Sequence, residues 1–430
     1  MMREGPEAPR RMTASEFELW VAGPWRIAAR RRGAGRPTLL DVEPAGIRTV
    51  ADERHARLPL FDAARPGWLR GERLRQCVTQ ETSAKDSLVP DSVRVTTDDG
   101  TPLREGVDFR LDPEWAVLGR LPGGRLSAEQ AVRISYRCGW KRLDSVVETP
   151  GGTVAVRAGE PHVCAPRSPA PATGERVLAR LWIGARLACL DEDRLFPILE
   201  TAFPEGPLPD ARGVVRTRAR LEAGGPLRVL AWGDSVTEAA YLAGPGFPEN
   251  RWQEQFVARL RRRYPAAQIE LRTAGWAAHN SRHFADAPPA DAAHCFAAAV
   301  LDARPDLVVS EFVNDVHLQT EADVAREYGR FLADFGRIGA EWIIQTPHYV
   351  RPDWMGLRSE KHCDNDPRPH IGALRSFARQ RGVPLTDASK RWGRLWRQGL
   401  PYTSLLLNAI NHPDERGMAL YADALMRFFL

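Results

Sequence analysis

Three short segments of the 430-residue chain carry side chains that could act together. Gly233-Asp234-Ser235-Val236-Thr237 sets a hydroxyl beside a glycine, Val313-Asn314-Asp315 offers an amide, and Asn408-Ala409-Ile410-Asn411-His412-Pro413 offers an imidazole. A serine hydroxyl is a poor nucleophile until a base takes its proton, and neutral imidazole suits that task near neutral pH. An amide N–H can then hold the oxyanion formed when the hydroxyl adds to an ester carbonyl. Each segment also has a plainer reading: Ser235 or Asp234 as a helix cap, Asn314 as a turn residue, His412 as a structural histidine. Nucleophile, oxyanion donor and base together point to acyl transfer.

The elements that would position them alternate. Strands are expected at 228–232, 268–271, 306–313, 342–345 and 383–387, and helices at 251–264, 291–303, 321–338, 371–381 and 415–428. Strand–helix alternation builds a parallel sheet covered on both faces, with ligands beyond the carboxyl ends of the strands. Ser235 and Asn314 follow the first and third strands, and His412 precedes the last helix. Between 88 and 183 the pattern differs: short β-type runs are separated by Asp98-Asp99-Gly100, Pro122-Gly123-Gly124 and Gly151-Gly152. That punctuation indicates an all-β sandwich or jelly roll. The expected organisation is a β-sandwich domain over 1–185, a connector over 186–225 and an α/β domain over 226–430.

In order and spacing, GDSVT, FVND and NHPDERG resemble the sequence blocks of the SGNH/GDSL hydrolase family, over roughly 227–430. The resemblance implies a three-layer α/β/α fold, with Ser235 as nucleophile, Asn314 as an oxyanion donor and His412 as base. The third block usually begins with glycine; Phe312 stands there and is expected to alter pocket shape more than chemistry. The second block supplies a backbone N–H, which spacing assigns to Ala278, with Gly275 as second choice. Alanine serves there unless φ is positive. The oxyanion hole is thus Ser235, Ala278 and Asn314. The family's aspartate three residues before the histidine is replaced by Ala409. A Ser235–His412 dyad is expected, its ring oriented by a backbone carbonyl, Asn408 or Glu311.

Trp276, His279, His317 and His348 are expected to line the substrate pocket. Trp232 and Trp354 fall near it, with core packing as their plainer reading. The loop over 351–369 is long enough to act as a lid. His279 and His283 have the i,i+4 spacing of metal ligands, but no acidic third ligand stands at a diagnostic spacing, so no metal and no cofactor are expected. SGNH hydrolases preceded by a β-sandwich resemble carbohydrate esterases that deacetylate polysaccharides. A carbohydrate O-acetylesterase is therefore expected. The alternatives are a short-chain lipase or thioesterase, and a catalytically decayed glycan-binding protein.

Composition narrows the partners. Sixty basic residues against 55 acidic ones nearly balance, and the arginines are scattered rather than gathered into a stripe, which argues against nucleic acid. No apolar run of about 18 residues occurs, so no membrane span is expected. The six cysteines lack metal-finger spacing and read as free core thiols. The start of the chain has no apolar leader core, so the expectation is an intracellular protein or one whose leader has been removed. Sequence leaves the oligomeric state open.

Overall fold

A computed structural model describes residues 12–14 and 16–430. The chain forms two units. The first comprises the chain up to Ala202 with Ser359–Lys361 and Leu395–Ile410; the second comprises Phe203–Arg358, His362–Arg394 and Asn411–Leu430. The units therefore interleave, where the sequence suggests contiguous domains. Part of the expected connector belongs to the β unit because Leu195–Pro197 is a buried edge strand on Arg176–Ile183. Residues 395–410 join that unit through hydrogen bonds: Leu199 N–H and Glu200 N–H donate to the Arg397 carbonyl at 2.7 and 2.9 Å, and the Thr82 hydroxyl donates to the Asn408 carbonyl at 2.6 Å.

Among the described residues of the first unit, four antiparallel sheets pack around two larger apolar cores and a small cluster of Trp115, Val117 and Ile410. Phe17, Leu19 and Ile27 from the N-terminal meander pack with Val146, Leu181 and Ile183 from the sheet built on Arg142–Glu148 and Arg176–Ile183. Val95, Val132, Ile134 and Tyr136 pack with Phe109, Leu111 and Leu118 in the other core. Alternation along Val132–Gly139 sends every second residue inward, as a half-buried strand requires. His55 ends the strand Ile47–His55, its ring nitrogens 2.7 Å from Glu53 and 3.3 Å from Glu72. Burial works against its charge, but the two carboxylates overcome this and raise its pKa to about 9.

The second unit is a three-layer α/β/α domain. Five parallel strands, Pro226–Gly233, Gln268–Gly275, Leu307–Glu311, Glu341–Gln345 and Leu385–Thr386, run in the spatial order second, first, third, fourth, fifth. The order reverses beside the first strand, so the crevice of a doubly wound sheet opens at its carboxyl end. Trp232, fully buried, packs edgewise against Phe312 and Phe331 at 4.8 Å each, and helices Glu321–Ile338 and Pro369–Arg381 complete that face. Helices Trp252–Arg263 and Glu415–Met426 pack together on the other. Besides small differences at element ends, two expected elements are much shorter. The helix at 291–303 reduces to turns and a five-residue wide turn, Ala297–Leu301. The fifth strand has two residues, because Gly382 ends the preceding helix with a left-handed cap and Pro384 has no N–H to give.

Candidate active site

At Gly233 the first strand turns sharply. A Cβ there would lie 2.1 Å from the Glu311 carbonyl oxygen and 2.2 Å from Thr237 Oγ1, so the turn needs glycine. Asp234 then caps the short helix Ser235–Glu238, accepting the Val236 N–H at 3.1 Å, and also accepts the Asn314 N–H at 2.9 Å. Its cap reading holds, and it additionally ties the third-strand loop to the serine turn. Burial pushes the Asp234 carboxyl up to about 7, against the backbone N–H groups that favour its charge.

Ser235 opens that helix and is 8% exposed; His412, in the turn before the last helix, is 6% exposed. His412 Nε2 lies 3.2 Å from Ser235 Oγ. Two residues 177 apart in sequence are thereby brought within hydrogen-bonding reach. Tyr241 lies flat against the imidazole, with ring centroids 4.1 Å apart and planes within 8°. No spacing rule singles out Tyr241; only its place six residues after Ser235 hints at proximity.

The second strand ends at Gly275, where a Cβ would lie 2.5 Å from Glu238 Cα on the serine helix. Gly275 is thus fixed by close packing. Beyond it, Trp276 N–H donates to the Gly233 carbonyl at 3.1 Å and Ala277 N–H to Glu238 Oε2 at 2.8 Å. Ala278 has φ of 61°. The condition under which alanine would be unstrained therefore fails, and the left-handed conformation costs an L-residue about 1–2 kcal/mol. Among the described residues, neither the Ala278 N–H nor the Ser235 N–H meets a protein acceptor. Asn314 Nδ2 donates to the His279 carbonyl at a long 3.3 Å. Asp315 accepts the Ser281 N–H at 2.9 Å and the Tyr328 hydroxyl at 2.7 Å, lacing together the loops after the second and third strands.

Several expected roles change. Phe312 is buried against Trp232 and shapes the core, not a pocket. Trp276 has its faces covered by His279 at 3.8 Å and His294 at 4.2 Å, both nearly parallel, so it offers no free face for stacking on a substrate. His348 is fully buried and cannot line a pocket. Its Nδ1 lies 2.8 Å from Tyr421 Oη and its Nε2 2.8 Å from the Asn411 carbonyl. His317 has Nδ1 3.2 Å from Asn280 Nδ2 and Nε2 3.0 Å from Glu327. His279, half-buried, holds the Ala277 carbonyl through Nδ1 at 2.7 Å. The His283 ring accepts the Asn280 N–H at 3.0 Å in a capping box, which explains the i,i+4 spacing without a ligand. Trp232 is core, whereas Trp354 is 52% exposed. The 351–369 loop is pinned rather than lid-like at its end: Arg368 pairs with Asp366 and donates to the His348 carbonyl at 2.7 Å. Glu311 meets Tyr421 Oη at 3.1 Å. Asn408, grouped with the first unit, uses its side-chain oxygen to accept the Ile410 N–H at 2.9 Å.

The second unit thus holds a hydroxyl against an imidazole at the carboxyl edge of a parallel sheet, with the Ser235 and Ala278 N–H groups unengaged among the described residues. No protein-family model and no curated protein sequence matches the chain. Solved structures similar to it include a two-domain esterase active on acetylated mannans, 17% identical with a TM-score of 0.40 over 50% of this chain and 52% of that one. Another is a variant of Axe2, an acetylxylan esterase from Geobacillus stearothermophilus, 18% identical with a TM-score of 0.36 over 47% of this chain and 93% of that one. A third is the acetyl xylan esterase AlAXEase, 19% identical with a TM-score of 0.36 over 46% and 98%. This chain spans about half the length of the two-domain esterase and nearly all of the two xylan esterases.

Proposed function

We propose that the protein is a serine ester hydrolase of the SGNH/GDSL type, acting on O-acyl esters. The observation that carries this reading is the 3.2 Å approach of His412 Nε2 to Ser235 Oγ. Neutral His412 takes the hydroxyl proton as Oγ bonds to the acyl carbon. The carbonyl oxygen becomes an oxyanion, held by the N–H groups of Ser235 and Ala278 and by Asn314 Nδ2. Losing one such donor typically raises the barrier by about 3–4 kcal/mol. The imidazolium then gives its proton to the departing alcohol, leaving an acyl-Ser235. Water, deprotonated by the same imidazole, attacks the acyl carbon; the bond to Oγ breaks, the imidazolium returns its proton to Oγ, and the acid leaves.

For the substrate, O-acetylated carbohydrate is the class proposed. Its support is the motif resemblance together with a β unit preceding the α/β unit, the arrangement of carbohydrate esterases with an N-terminal β-sandwich. Hydrolysis of p-nitrophenyl acetate by the wild type and by Ser235→Ala tests the chemistry; equal rates from both would remove the enzyme reading. Acetate release from acetylated xylan, mannan and pectin tests the class. Release from none of them, with rapid cleavage of longer acyl esters, would replace it with a lipase.

A further inference from the structure

Glu311, His348 and Tyr421 are fully buried, although they come from the third strand, the segment after the fourth strand and the last helix. Tyr421 Oη has three neighbours: the His348 backbone N–H at 2.7 Å, His348 Nδ1 at 2.8 Å and Glu311 Oε1 at 3.1 Å. At the far side of the ring, His348 Nε2 stands 2.8 Å from the carbonyl of Asn411, the residue before His412.

The protons of this chain can be counted. A carbonyl only accepts, so His348 Nε2 carries a hydrogen. The backbone N–H donates to Tyr421 Oη, which has one proton of its own to give. If that proton goes to His348 Nδ1, Glu311 must donate and is protonated. If it goes to Glu311, Nδ1 must carry a second imidazole proton, making an ion pair. Both arrangements hold the same number of protons and zero net charge, and they differ only in charge separation. Full burial favours the uncharged one. So does Glu311 Oε2, which has no hydrogen-bond partner among the described residues, a costly state for an ionised carboxylate. The surroundings agree. Burial, then the Asp234 and Asp315 carboxyls, push Glu311 up, opposed by Tyr421 and Arg368. Burial, then Arg368 and His412, push His348 down, opposed by the Asn411 carbonyl and Asp366.

We propose that Glu311, Tyr421 and His348 are positioning residues forming an uncharged buried relay, which clamps the Asn411 carbonyl and so sets the place of the His412 ring. The proposal rests on the ester hydrolase reading. It assigns Glu311 an indirect role, through the peptide rather than the imidazole.

The test uses the full chain and p-nitrophenyl acetate, with the Ser235→Ala rate subtracted and folding checked by melting. Glu311→Leu and Tyr421→Phe should lower kcat by about 10- to 100-fold, the scale of an ångström-sized misplacement of a reacting group, with KM within about twofold. Glu311→Gln, whose amide can donate as the protonated carboxyl does, should recover most of the activity that leucine loses. Infrared difference spectra of wild type against Glu311→Gln should show the carbonyl stretch of a protonated carboxyl, lost in the variant. Unchanged kcat in folded Glu311→Leu and Tyr421→Phe would overturn the positioning role. Glutamine as slow as leucine, or no protonated-carboxyl band, would overturn the uncharged relay. Equal wild-type and Ser235→Ala rates would remove the hydrolase reading instead, and the infrared band would still decide the charge state.

Discussion

Replacing Tyr241 by alanine tests how the His412 ring is held. Tyr241 covers one imidazole face at 4.1 Å with planes 8° apart. A stacked aromatic pair contributes about 0.5–1.5 kcal/mol beyond its burial, and a desolvated cation over a ring face about 2 kcal/mol. In the proposed reaction the imidazole becomes an imidazolium beneath that face as the serine proton moves, so the contact strengthens towards the transition state. Interactions stronger there than in the ground state act on kcat rather than KM. A loss of about 0.5–2 kcal/mol corresponds to about a 2- to 30-fold fall in kcat. Tyr241→Phe keeps the ring and should stay within about twofold of wild type. The assay is chromogenic acetate-ester hydrolysis at saturating substrate, with melting curves for each variant. An unchanged kcat in Tyr241→Ala would refute the stacking argument. Equal losses in Tyr241→Phe and Tyr241→Ala would refute it too, since the hydroxyl rather than the ring face would then matter.

Ala278→Gly should raise stability by about 0.5–1 kcal/mol and keep the rate, because it relieves a left-handed alanine, φ 61°, at the expense of some unfolded-chain entropy, and retains the N–H; a fall in melting temperature would contradict this. Gly275→Ala should cost about 1–3 kcal/mol and lower kcat, because its Cβ would sit 2.5 Å from the Glu238 backbone on the serine helix; unchanged stability would show that this approach relaxes freely. His55 predicts a pH dependence in the β unit. Its folded pKa, about 9, lies above the ordinary 6.5, so its contribution is fully present below pH 6.5 and is lost as pH rises through 9. That rise would be worth at most about 3 kcal/mol, and partial exposure of the Glu72 carboxylate reduces the expectation to about 1–2 kcal/mol. Urea unfolding at pH 6 and pH 9.5, wild type against His55→Gln, measures it; identical pH dependence in both would refute the assignment.

Short windows of sequence encode what is legible without the fold. The helix at 321–338 coincides in sequence and structure, because an apolar stripe, the Thr320 capping box and Gly339 at its end all act locally. The serine turn was readable for the same reason: glycine, aspartate and serine sit side by side, and the backbone geometry each imposes is short-range. Counting from a strand places Ala278 but not its positive φ, since an alanine carries no mark of the conformation its neighbours force on it. Residues 395–410 read in sequence as part of the α/β domain but belong to the first unit, for a different reason. Their hydrogen bonds reach back to residues near 80 and 200, and no composition shift announces that return. The relay is the extreme case. Glu311, His348 and Tyr421 are 110 residues apart end to end; in sequence Glu311 reads as one candidate to orient the ring and His348 as a pocket residue, and nothing marks Tyr421. A carboxyl, a phenol and an imidazole become one device only when three elements of the sheet domain exclude water around them, because proton sharing among buried groups depends on what surrounds them and not on spacing along the chain. Ala409 shows in the sequence that the family's aspartate is absent from that position, but the groups that hold the Asn411 carbonyl lie far from it along the chain and meet only where folding removes water from around them.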